Sequence, residues 1–155
     1  MPNWCMNRAV ISSNDKAKMD WLMQGISGQF FEHIIPTPKD ENSYNYRVSN
    51  WGTKWDVDVE VVNAHIDSTG GYVEIRFESA WSPPSGIYEV LGMMGFTVRA
   101  EYFEDGMGFG GIFQTEHGYL SNIHSDDIVN PDDEVRQLII ESFDIDYFYQ
   151  DNGEE

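Results

Sequence analysis

Hydrophobic and polar positions alternate most cleanly over residues 72–77, where Val73, Ile75 and Phe77 oppose Glu74, Arg76 and Glu78. A period of two sends each set to its own side of a strand. The same alternation runs over 55–62, with Val57, Val59 and Val61 against Asp56, Asp58 and Glu60. The turn-rich Asp67-Ser68-Thr69-Gly70-Gly71 lies between the two runs, and together they predict a hairpin with one apolar face. Ala9 and Ile11 predict an earlier strand over 4–12. The helical period appears twice. Met19, Leu22, Met23 and Ile26 follow the capping candidates Ser13, Asn14 and Asp15, and the glycines Gly25 and Gly28 end the pattern. Ile87, Val90, Leu91 and Met94 repeat that spacing after Trp81-Ser82-Pro83-Pro84, with Gly95 at the C-terminal end.

Between these patterns, 30–35 is a short apolar run that predicts a strand, stopped by Pro36 and Pro38. Residues 36–50 are polar and predict a long connection. Further strands are predicted over 96–103, 107–114 and 119–123. Asn130-Pro131-Asp132-Asp133 carries a helix-start signal, and Val135, Leu138 and Ile139 supply an apolar stripe. The sequence predicts an α+β fold, an antiparallel sheet with two helices on one face, ferredoxin-like in plan. That unit would span 1–120, with an acidic helical extension over 121–155, packed on it or trailing from it.

The length of 155 residues suits one domain able to bury its own core. Charge changes the picture more: 9 basic residues stand against 27 acidic ones, a formal charge of −18. Sequence-independent nucleic-acid binding needs Lys and Arg against phosphates, so direct DNA binding is excluded as a main activity. The same field repels anionic membranes and favours basic partners. The single cysteine, Cys5, allows no intramolecular disulfide and no four-cysteine zinc site. With no secretory apolar segment and no run of membrane-spanning length, the expected location is the cytoplasm of a host cell.

Four blocks carry a resemblance. They are Met1-Pro2-Asn3-Trp4-Cys5 with Asn7, Asn50-Trp51-Gly52-Thr53-Lys54-Trp55, Trp81-Ser82-Pro83-Pro84, and Glu101-Tyr102-Phe103-Glu104 followed by Gly106, Phe109 and Gly111. In this order they resemble the ferredoxin-like domain family of phage and conjugative-plasmid proteins, the YubB-like group, over roughly residues 1–115. The resemblance implies a ferredoxin-like sheet and a mobile-element origin; it implies no reaction. The acidic end from Ser121 lies outside it.

Candidate chemistry is sparse. Cys5 would be a nucleophile only with a base or helix N-terminus beside it, and a buried structural thiol is the simpler reading. His117 and His124 with Glu116 and Asp126 match no zinc spacing. Gly106-Met107-Gly108-Phe109-Gly110-Gly111 lacks the lysine of a phosphate loop and reads as a bulged strand. An aromatic sheet face can stack RNA bases, but here Asp56, Asp58, Glu60, Glu74, Glu78 and Glu101 outnumber Lys54, Arg76 and Arg99 on the outward positions. No catalytic constellation, cofactor or metal site emerges.

Three readings of function remain, the third an oligomer-forming structural protein that uses its sheet face or edge. From Ser121 onward eleven acids face one base, Arg136, so ten of the eighteen net negative charges lie there. On the first reading the chain is a non-enzymatic accessory protein that binds and inhibits a basic host or mobile-element protein, one that handles nucleic acid or serves in defence. Asp126, Asp127, Asp132, Asp133, Glu134, Glu141, Asp144 and Asp146 would steer, and Tyr147 and Phe148 would anchor. The alternative is a small-ligand, nucleotide-like site or an enzyme at Trp51, Lys54 and Trp55, where a cation or base would sit between two indoles. That same stretch also reads as a structural corner, with its rings packed over the edge of the core.

Overall fold

Strand β1 (Trp4–Ser13) is the centre of the architecture, paired antiparallel on both sides. The structure, a computed structural model, describes residues 3–39, 42–106, 108–115, 118–124, 139 and 141–143. In chain order β1 is followed by helices α1 (Lys16–Ile26), α2 (Phe30–Ile34) and α3 (Ser43–Asn50). Then come β2 (Glu60–Asp67), β3 (Gly70–Ala80), α4 (Ser85–Met93), β4 (Thr97–Glu104), β5 (Phe109–Gln114) and β6 (Gly118–His124). Six strands form one antiparallel sheet in the order β2-β3-β1-β4-β5-β6. The chain is therefore α+β, as its periodicities predict.

The period-two positions decide which face is covered. Ala9 and Ile11 of β1, Val73, Ile75 and Phe77 of β3, and Val98 and Ala100 of β4 join one core with Met19, Leu22, Phe30, Phe31, Ile87, Tyr88 and Leu91 from α1, α2 and α4. Helices α1, α2 and α4 thus occupy one face. α1 begins where Asp15 accepts the N–H groups of Ala17 at 2.9 Å and Lys18 at 3.4 Å, satisfying donors the first turn leaves open. Its stripe Met19, Leu22 and Ile26 is buried.

Three predicted elements differ. Residues 30–34 are helical, not a strand: Phe30, Phe31 and Ile34 are buried at helical spacing. The N-terminus of this short helix is capped from a distance, since the Asp56 carboxylate accepts from Phe31 N at 2.8 Å and Glu32 N at 3.1 Å. The predicted long connection contains α3, capped by Asn42 accepting from Asn45 N. It is tied down by Arg47, which reaches Glu32 at 3.0 Å. The hairpin forms, but its first strand starts at Glu60 rather than at 55. Asp56 is engaged in capping, and Val57 and Val59 pack on the core from irregular backbone. Val61 lies on an edge strand with both faces open and is 43% exposed.

The far face of the sheet is not bare. Phe103, Ile112 and Ile139 are buried outside the main core. Residues 139 and 141–143 are helical. Arg76, on the far face of β3, donates to the Ser142 carbonyl at 3.0 Å, and the Ser142 hydroxyl donates to Glu101 of β4. The rest of the predicted C-terminal helix, with Val135 and Leu138, lies outside the described residues. Among the described residues no helix is long and apolar enough to cross a membrane.

Candidate functional site

The stretch from Asn50 to Asp56 sorts into a buried half and an exposed half. Trp51 is fully buried, donates its indole N–H to the Ile35 carbonyl at 2.9 Å, and meets Phe31 edge-on at 5.5 Å between centroids. The Arg47 guanidinium lies 4.7 Å from the same ring. Gly52 follows at φ +88°, where a Cβ would fall 2.9 Å from Ser85 N. The buried Thr53 hydroxyl donates to the Ala80 carbonyl at 2.7 Å. This half is a corner that pins the end of β3 and the start of α4. Trp55 is 43% exposed and lies 6.1 Å from Trp4. Lys54 Nζ sits 4.2 Å above the Trp55 ring. Trp51 and Trp55 therefore do not form two walls of one slot: the first is core, and the second is surface, with Trp4 as its neighbour.

The other candidates resolve as structure. Cys5 is buried, and burial first, then the charge of Glu104, pushes its thiol far above the ordinary range. A neutral, enclosed thiol is no nucleophile. His33 lies 4.4 Å from Trp21 and its Nε2 is 2.8 Å from the Trp21 carbonyl. His65 is exposed beside Asp67 at 3.1 Å. Thr69, through its hydroxyl and N–H, holds the Asp67 carboxyl at about 2. The glycine-rich segment turns at Gly108 and becomes β5, whose register with β4 is unbroken. The irregularity falls instead between Ile112 and Phe113, against β6. No group of three His, Cys, Asp or Glu side chains is arranged for a metal among the described residues.

Of the acidic partner-binding candidates, Glu141 is described and exposed. Asp126, Asp127, Asp132, Asp133, Glu134, Asp144, Asp146, Tyr147 and Phe148 lie outside the described residues, as do Glu116 and His117.

What the tertiary structure adds is a groove of approximately 610 Å³ on the far face of the sheet. The start of β1 supplies Trp4 and Met6, β3 supplies Arg76 and Glu78, the segment before β2 supplies Asp58, and Glu60 opens β2 itself. The C-terminal helical turn contributes Glu141 and Phe143 as the opposite wall. Among the described residues Asp58, Glu60, Glu78 and Glu141 have neither hydrogen bond nor ion pair. Among the described residues Arg76 is the one cation in the lining, and it donates to the Ser142 carbonyl. Beneath the helical turn Glu101 accepts from Ser142; burial raises its carboxyl above the ordinary range, partly offset by Arg99 and Arg8.

Sequence reasoning missed this assembly. It named Asp58, Glu60 and Glu78 as outward residues but did not join them to Trp4. The one available signal was Trp4 itself, in phase with Arg8 and Val10 and out of phase with the core positions Ala9 and Ile11. No protein-family model, curated protein or solved structure matches the chain.

Proposed function

We propose that this chain is a non-enzymatic binding protein, carried by a phage or conjugative plasmid, that uses an acidic surface to hold and block a basic protein. The target class that fits is one that handles nucleic acid or serves in defence, because such proteins present Lys and Arg for phosphate contacts. The observation that carries the reading is the uncompensated charge. The chain is at −18 overall, and among the described residues Asp58, Glu60, Glu78 and Glu141 converge on one groove against a single cation, Arg76. Like charges held together raise the free energy of the isolated protein and are relieved by a cationic partner.

Membership of the YubB-like group and a ferredoxin-like plan belong to the same proposal. Leaving out α2 and α3, the order β1-α1-β2-β3-α4-β4 with neighbours β4-β1-β3-β2 supports the split βαβ arrangement. On this plan β5 and β6 extend the sheet beyond β4.

The test is a pull-down of the tagged chain from a bacterial host lysate at low and at high salt, with mass spectrometry. A stoichiometric basic protein retained at low salt and released at high salt is expected, since exposed charge pairs are screened over about 10 Å at 0.1 M salt. A blank at both salts, or a partner indifferent to salt, would overturn the reading.

A further inference from the structure

We propose that the groove beside Trp4 is the docking site for a lysine- or arginine-bearing segment of the partner, with Trp4 and Trp55 as its anchors. The inference rests on the acidic-binding reading above and deepens it by naming the surface and the chemistry of the occupant.

The first observation is a corner of exposed indoles. The chain has five tryptophans, and Trp4, Trp55 and Trp81 are 40%, 43% and 45% exposed. Trp4 and Trp55 are in ring contact at 6.1 Å. The N–H of Trp81 donates to the carbonyl of Asn3, the residue before Trp4, at 2.8 Å. Tryptophan is highly buried on average, and it is the side chain most enriched at the energetic centre of interfaces. Three partly exposed indoles at one corner are therefore not an ordinary surface.

Backbone strain lies at the same corner. Among the described residues Trp81 is the one non-glycine with positive φ, at 72°. A bulky residue is rarely held there, and such conformations cluster at binding sites. Charge decides the occupant. Among the described residues the groove that opens from Trp4 carries four carboxylates with neither hydrogen bond nor ion pair against one cation, Arg76, with Met6 and Phe143 as its apolar groups. A basic side chain with an aliphatic stem matches both, laying methylenes on the apolar groups and its head among the acids. The chain already uses one of these rings in this way: Lys54 covers Trp55 at 4.2 Å. Among the described residues no cation lies over Trp4, which leaves that ring to the partner. The volume, approximately 610 Å³, lies in the range of ligand clefts.

The experiment measures binding of a fluorescein-labelled peptide of alternating arginine and leucine to the full chain, with spermine as a competing free polyamine. The variants are Trp4→Ala, the pair Asp58→Asn with Glu78→Gln, and, as a tail control, Asp132→Asn with Asp133→Asn. All the altered groove side chains are exposed, and circular dichroism checks that each variant folds. Expected is saturable binding weakened about tenfold or more by either groove change and little by the tail change. Binding lost in the tail variant and kept in both groove variants would overturn the groove while leaving the acidic-surface reading intact. Spermine that binds at least as tightly as the peptide, with the same mutational pattern, would overturn the peptide as occupant. No binding to the unaltered chain would overturn the groove; the lysate pull-down separately decides whether any basic partner exists.

Discussion

Trp51 ties the end of α3 to α2 through one side chain: its indole N–H to Ile35 and its ring against Phe31, with Arg47 of α3 over the same ring. Trp55, four positions on, shares the residue type and little else. The pair gives a residue-scale prediction. Trp51→Ala should destabilise the fold by about 3–5 kcal/mol, the range for a buried aromatic cut to Ala. Trp55→Ala should cost much less, because its ring is half in water already and its partners are a surface lysine and Trp4. Urea unfolding of the two variants measures this; equal losses would contradict the division of the stretch into core and surface. The sequence made both residues conspicuous without separating them. Which indole is buried depends on where Phe31 and Ile35 lie, and neither is fixed by the local pattern.

At the scale of elements, the short helix α2 is the instructive case. Phe30, Phe31, Ile34 and Ile35 are compatible with a strand or with one side of a helix, and five residues are too few for periodicity to decide. An isolated helix of this length does not hold in water. It exists here because Asp56 supplies two acceptors to its first turn from twenty-five residues away. Asp56→Ala should cost about 0.5–2 kcal/mol, as removal of a local N-cap does. Hydrogen exchange should quicken at the amides of Phe31 and Glu32 in particular. Exchange unchanged at those two positions would mean that core packing alone holds the helix. The Asp56 carboxylate holds this stretch against the first turn of α2, and the backbone from 56 to 59 runs irregularly before β2 pairs from Glu60. By contrast α1, β1, β3, α4 and β4 were legible within a few residues, since each has a long period and its own start or stop residues.

For the whole molecule, the sheet has a densely packed face under the helices and a second face partly covered by the chain's own C-terminal helical turn. Ile139 is fully buried there, and Ser142 is bound by Arg76 and to Glu101. Ile139→Asp should release this turn, because an unpaired carboxylate cannot remain in an apolar site without a cost of several kcal/mol. Exchange protection should then fall at 141–143 and persist in β1 and β3, where the main core is untouched. Protection lost throughout would show the turn to be part of the global folding unit, and protection kept would show that Ile139 does not hold it. The groove has Glu141 and Phe143 as one wall, so the same variant should also weaken capture of a basic peptide.

The sequence by itself determined the class of the fold, its central strands and two main helices, and the net charge of the chain. These follow from period, capping and composition, which are local or additive properties. The tertiary structure alone decided that 30–34 is a helix, that Trp51 is core and Trp55 is not, and that Trp4, Asp58, Glu78 and Glu141 line one groove. Each of these depends on backbone brought together from distant parts of the chain, as when β1 pairs Trp4 with Ala80. A register between strands so far apart is set by the packing of the whole core, and no stretch of sequence carries it alone.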